Sequence, residues 1–171
     1  MGPGRSDGPK AGRTAEIASA LGHHLARAGY AVVVEGHGHV ALSVARAARQ
    51  ADAPVVAIET RGADHAWGAG IVVEQTVGTF GAIERVLALA DAAILLAGDL
   101  RAVMLLTQIW SWGSEPDAPY RQVILVGEGW PEAVRTLADA VGLDPKTRAM
   151  VTFAKEPGEA VEALRYYIAP R

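Results

Sequence analysis

Short runs of aliphatic and β-branched residues recur along this chain, and the gaps between them carry helical rather than hairpin spacing. The runs are Ala31-Val-Val-Val34, Pro54-Val-Val-Ala-Ile-Glu59, Ile71-Val-Val73, Ala92-Ala-Ile-Leu-Leu96, Arg121 to Val126 and Arg148 to Phe153. A strand that is apolar at nearly every position, instead of every second one, is buried on both faces. Six such strands alternating with helices predict an α/β fold, a doubly wound, mostly parallel sheet with helices on both faces and right-handed crossovers.

The helices are legible from their ends as well as their period. Ile17, Leu21, His24, Leu25 and Ala28 follow Thr14, read as an N-cap, and stop at Gly29, read as a C-cap. Val40 to Gln50, Phe80 to Ala90 and Leu100 to Trp110 follow, then a helix opened by Pro131 and reaching Val141, and a last one from Glu156 to Ile168. Residues 60–70 read as a glycine-rich loop and Ser114 to Pro119 as a polar loop.

A chain of 171 residues, half of them hydrophobic, buries one sizeable core and needs no second domain. Residues 1–13, rich in glycine and proline, are expected to form a flexible arm, with a single domain over 14–171. Sixteen basic residues against nineteen acidic ones, with no cluster of lysine or arginine, leave no footprint for nucleic acid or an anionic membrane. No cysteine is present, which excludes thiolate metal sites and cysteine nucleophiles. There is no signal-like apolar segment near the start and no apolar run of about 18 residues, so a cytoplasmic protein with a small-molecule or protein partner is expected.

Chemistry is expected where strands run into glycine turns and helix starts, because backbone N–H groups and the positive end of the helix dipole converge there on anions. The sharpest such junction spans Asp91 to Trp112, with its turn at Gly98, Asp99 and Arg101. A second is Gly36-His37-Gly38-His39, where the two histidines would help neutralise a phosphate; the same glycines also suit an ordinary strand-to-helix turn. Two histidines without a nearby carboxylate pair do not make a metal site, and neither a metal nor a resident cofactor is expected. Gly78-Thr79 stands before a third helix, with Glu74 and Gln75 just upstream, where they would meet a ribose. Gly36-x-Gly38-x-x-Ala41 followed by Glu59 also has the layout of a dinucleotide fingerprint, in which Glu59 would accept from a ribose hydroxyl.

From Thr14 onward the order of these segments resembles the LOG family, the lysine decarboxylase-like proteins that include cytokinin-activating phosphoribohydrolases. The resemblance rests on the helix leading into Gly29-Tyr-Ala-Val-Val-Val34, the following glycine turn, the strand at 54–58, the Asp91-Ala92 strand and the strand after the polar loop. The family's signature, Pro-Gly-Gly-x-Gly-Thr-x-x-Glu, reads here Ala97-Gly-Asp-Leu-Arg-Ala-Val-Met-Leu105, with one glycine kept and the glutamate gone. Aligned without gaps from Asp91, the family's arginine falls on Ala82 and its glutamate on Leu105. The resemblance therefore implies a non-catalytic protein that binds a nucleotide-like or phosphorylated small molecule. The alternative is a nucleoside monophosphate phosphoribohydrolase in which Arg85 and Asp99, displaced by a few residues, have taken over; against it, Asp99 is a good N-cap and Arg85 an ordinary surface residue. A purely structural or protein-binding role is a further possibility. The resemblance also implies a dimer through the helix carrying Met104, Leu105, Leu106, Ile109, Trp110 and Trp112, although packing inside one chain explains the same residues. Finally, it implies a central first strand ending in a Gly-Ser turn, where only Gly2-Pro-Gly-Arg-Ser6 precedes the first helix here. Either the sheet lacks that strand or the chain start is truncated.

Overall fold

The computed structural model describes residues 9–36, 38–63, 65–97, 100–113 and 122–169. The elements follow in the order α1 (Pro9–Arg27), β1 (Val32–Glu35), α2 (His39–Gln50), β2 (Val55–Thr60), β3 (Val72–Thr76), α3 (Gly78–Leu89) and β4 (Ala92–Leu96). They continue with α4 (Leu100–Gly113), β5 (Gln122–Val126), α5 (Trp130–Val141), α6 (Pro145–Arg148), β6 (Val151–Ala154) and α7 (Pro157–Tyr167). All four strand pairings are parallel, as expected for strands joined through helices.

The sheet departs from a simple continuous arrangement. β1-β2-β3 form one three-stranded sheet and β4-β5-β6 another, and the two inner strands, β1 and β4, are not paired with each other. The consequence is visible in burial. β5, with a neighbour on each side, is buried at every position, whereas Val33 and Glu35 of β1 and Ala92, Ala93 and Ile94 of β4 are only half-buried.

Alternation of side chains divides the core into two layers. Ile124 and Val126 of β5 face α1, α2 and α7, while Val123 and Leu125 face α3, α4 and α5. The first layer also takes Val32 and Val34 of β1 together with Leu96 of β4, so α1, α2 and α7 form a common roof over both sheets. Tyr30 strengthens that roof: its hydroxyl donates to the Ile168 carbonyl at 2.7 Å, tying the end of α7 to the start of β1.

Several boundaries differ from the sequence reading. α1 begins at Pro9, so residues 9–13 of the expected flexible arm are helical and Thr14 lies inside the helix instead of capping it. Proline is favoured in a first helical turn, and the alanine, lysine and arginine that follow are good helix formers. β3 runs on to Thr76. The last strand begins at Val151 instead of Arg148, which ends a short helix capped by Asp144: the Asp144 Oδ1 accepts from the Thr147 amide at 3.0 Å. The polar loop at 114–119 lies outside the described residues.

α4 explains its own apolar character. Ala102, Leu106, Ile109 and Trp110 are buried within the chain, Trp110 to 4 % exposure, and Trp112 is half-buried. Trp110 thus belongs to the core of the chain, while Trp112, Met104 and Leu105 keep part of their surface. Large exposed apolar residues include Leu100 at the start of α4, and Val72, Val77 and Phe80 around β3 and the start of α3.

Candidate functional site

The carboxyl ends of β1 and β4 open on the same side of the molecule, where α2 and α4 begin. Two charged residues join them: Arg101 Nη1, in the first turn of α4, donates to Glu35 Oε1 at the end of β1, 2.9 Å away. The Glu35 side chain is 9 % exposed and that of Arg101 about one-third, so this bridge crosses the mouth of the gap between the two sheets. Sequence reading singled out Arg101 and passed over the role of Glu35. A partnership between residues 66 positions apart leaves no local sequence signal.

Gly36 and Gly38 have separate reasons to be glycine. Gly36 is buried, and its amide donates to the Ile58 carbonyl at 2.6 Å, continuing the ladder beyond β1. A Cβ there would stand 2.7 Å from Glu59 Cγ and 2.9 Å from the Ile58 oxygen, so close packing against β2 is sufficient to require glycine. Gly38 precedes α2 with φ of 90°, a conformation costly for other residues, and a Cβ there would meet open space. The first turn of α2 therefore faces solvent, with His39 exposed beside it and no side chain capping it. His37 lies outside the described residues, as do Gly98 and Asp99.

Glu59 does not serve as the ribose acceptor of a dinucleotide site. It is 3 % exposed, its Oε1 accepts from Trp67 Nε1 at 2.7 Å, and the same oxygen lies 2.8 Å from His65 Nδ1. Trp67, itself buried, pins the loop after β2 onto the core through this contact, and Arg46 adds a second tether by donating to the Ala66 carbonyl at 2.5 Å. The fingerprint spacing is satisfied while its acidic residue is spent on holding a loop. Trp67 was missed in the sequence because a single aromatic in a glycine-rich loop carries no periodicity.

Gly78 and Thr79 form the first turn of α3, as their position suggested, and Val77 before them provides no side-chain cap. Of the two upstream residues, Glu74 is engaged: its carboxylate accepts from Arg85 Nε at 2.6 Å and from Nη2 at 3.1 Å. That fork pushes the Arg85 guanidinium above its ordinary pKa, chiefly through the hydrogen bond and then through the charge of Glu74. Arg85 is committed to β3 rather than presented at the junction after β4. Ala82, at the position of the family's arginine, is fully buried, and Leu105, at that of the glutamate, is half-buried on α4. Among the described residues no group of three or more histidine or acidic side chains is arranged to hold a metal.

No family model matches the chain, and no curated protein does. Solved structures do. The chain is similar over 98 % of its length, and 93 % of the other's, to the molybdenum cofactor binding protein of the phototrophic bacterium Rippkaea orientalis, with a TM-score of 0.70 at 17 % identity. It is similar to the molybdenum cofactor carrier protein of Chlamydomonas reinhardtii over 97 % of this chain and 93 % of that one, with a TM-score of 0.63 at 16 % identity. A structural-genomics target designated TM1055 matches with a TM-score of 0.74 at 22 % identity, over 95 % and 94 % of the two chains. At these identities the likeness is one of fold: the chain is a Rossmann-like α/β protein, with parallel sheets flanked by helices.

Proposed function

We propose that this chain is a non-catalytic, cytoplasmic binding domain of LOG-like type, which takes a nucleotide-like or phosphorylated small molecule at the glycine turns on the carboxyl ends of its strands. The observation that carries the reading is the convergence, at the gap between the two sheets, of the uncapped first turn of α2 at Gly38 and His39 with Arg101 at the start of α4. Ligands of open α/β sheets bind where the strand order reverses, and helix starts favour anions there. Gly36, His37, Gly98 and Asp99 would complete the lining, and Gly78 and Thr79 offer the neighbouring helix start. Two of the similar folds belong to proteins described as binding or carrying a molybdenum cofactor, which fits a small-molecule role.

Thermal-shift titration with AMP, ADP-ribose, NAD and ribose 5-phosphate tests the reading. A saturable rise in melting temperature with at least one of them is expected, and no shift from any would refute it in favour of a structural role. The engagement of Arg85 by Glu74, together with the burial of Ala82, opposes the hydrolase alternative. Base release from AMP should stay at the level of the enzyme-free control. Turnover that vanished in Arg85→Ala or Asp99→Ala would instead establish catalysis by displaced residues. A homodimer is part of the proposal: on α4 Leu100 is exposed and Met104, Leu105 and Trp112 are half-buried, and Val72, Val77 and Phe80 add exposed apolar surface; light scattering should give about twice 17.9 kDa.

A further inference from the structure

Two rings of the loop after β2 meet one oxygen of a buried carboxylate, and the two contacts do not have the same use. The Trp67 indole is 4 % exposed, and its bond to Glu59 Oε1 closes the loop onto the core. His65 reaches the same oxygen through Nδ1 while 28 % of its side chain stays exposed, against 4 % for that of Glu59. The imidazole therefore connects a carboxylate in the interior with the surface at the carboxyl end of β2.

The protons on this contact follow from the chemistry of the partners. An indole N–H can only donate, so Oε1 is an acceptor, and a carboxylate has no proton to give to Nδ1. Nδ1 therefore carries the proton, and the neutral imidazole keeps its lone pair on Nε2. A carboxylate behind a histidine fixes the ring's orientation as well as its tautomer. The loop backbone holds the same residue: the Trp67 amide donates to the His65 carbonyl and the Ala63 amide to that of Thr60, each at 3.0 Å, and Arg46 holds the Ala66 carbonyl. A group ordered in advance loses little freedom when it takes a partner. The place is also defined. A Cβ on Gly36 would stand 2.7 Å from Glu59 Cγ and 3.1 Å from Trp67 Cζ2, so the pair lies against the turn that leads into α2.

We propose that Glu59 and His65 form a proton-accepting pair, in which the carboxylate positions the imidazole and Nε2 accepts a hydrogen bond from a hydroxyl of the bound ligand. The inference rests on the phosphorylated ligand proposed above and narrows it. That ligand carries a hydroxyl beside its phosphate, as a sugar phosphate does, with the phosphate on the first turn of α2 at Gly38 and His39 and the hydroxyl turned to the loop. A carboxylate offered directly to the hydroxyl would repel the neighbouring phosphate. An imidazole in front of it supplies the acceptor and sets the negative charge one ring further away, where its repulsion is weaker. Glu59 is thus a positioning residue, and His65 is the one that meets the ligand.

Nitrogen NMR of the isotope-labelled full chain, at a pH where its imidazoles are neutral, reads the pair before any ligand is added. His65 should show a protonated Nδ1 and an unprotonated Nε2; a proton on Nε2 in the neutral ring would overturn the proposal. Ribose 5-phosphate should then shift the Nε2 resonance, and inorganic phosphate should leave it in place. His65→Phe should weaken binding of ribose 5-phosphate about ten-fold, as expected for one lost hydrogen bond, and leave inorganic phosphate unchanged. Trp67→Phe loosens the same loop without removing the pair, so it should keep the preference for the sugar phosphate. Ribose 5-phosphate that binds with Nε2 unmoved, or binds as well to His65→Phe, would overturn this inference and leave the phosphate site standing. Failure of both probes to bind would remove the phosphate reading itself, and this inference with it.

Discussion

At the residue scale, two polar contacts decide what the carboxyl end of the sheet can do. The Glu35–Arg101 bridge sets a carboxylate where an anion is proposed to bind and covers it with a guanidinium. Removing each charge in turn should act in opposite directions: Arg101→Ala weakens, and Glu35→Gln strengthens, binding of whichever phosphorylated probe gives a thermal shift. Isothermal titration of both variants checks the signs, and a pair of unchanged affinities would place the anion elsewhere. The second contact is structural. Trp67→Phe keeps an aromatic side chain and removes one of two ring nitrogens that meet a carboxylate almost wholly buried. His65 remains on the same oxygen, but losing one hydrogen bond to a buried carboxylate costs roughly 1–3 kcal/mol, which chemical denaturation should read as a lower midpoint with little change in slope. Neither contact was legible in the sequence. Glu59 stands at the spacing of a ribose-binding acid, and only tertiary packing shows that an indole eight positions on has claimed it.

Among the elements, the helices were legible and their first turns less so. α5 and α7 begin where proline and an apolar period predict, while α1 starts five residues before Thr14, since helix-compatible residues extend it back to Pro9. α6 was overlooked because four residues are too few to show a period. Its stability hangs on Asp144, whose carboxylate also accepts from Thr147 Oγ1 at 2.6 Å. Those hydrogen bonds, the side-chain one first, hold the Asp144 pKa below its ordinary value. A carboxyl group depressed in the folded state contributes stability that is present above its unfolded pKa and lost as the pH falls through the folded one. Asp144→Ala should therefore lower the melting temperature at neutral pH. The gap to the unsubstituted protein should close in acid, below about pH 4, and a gap that persisted there would show that the cap acts without its charge. α4 carries the opposite lesson: a helix apolar nearly all round was read as core or interface, and burial of Leu106, Ile109 and Trp110 assigns that face to the core while Leu100 stays exposed.

For the whole molecule, the split sheet should make stability uneven. β5 has ladders on both sides and no exposed residue, whereas among the described residues β1 and β4 each have a strand neighbour on one side. Hydrogen exchange should accordingly be slowest in Val123 to Val126 and distinctly faster at Val33 and Ile94, because local opening needs less surface to be exposed where pairing is one-sided. Uniform protection across the three strands would mean that the sheets behave as one in solution. The sequence by itself determined six parallel strands, the helices between them and their two-faced burial, because hydrophobic period and end signals are local properties that survive without neighbours. It also marked the turns where helices open at the strands' carboxyl ends. What only the tertiary structure decided is which edges meet: that β1 and β4 stand apart, that Arg101 answers Glu35, and that Arg85 and Glu59 are engaged elsewhere. Such pairings join residues far apart in the chain through geometry that no local pattern encodes.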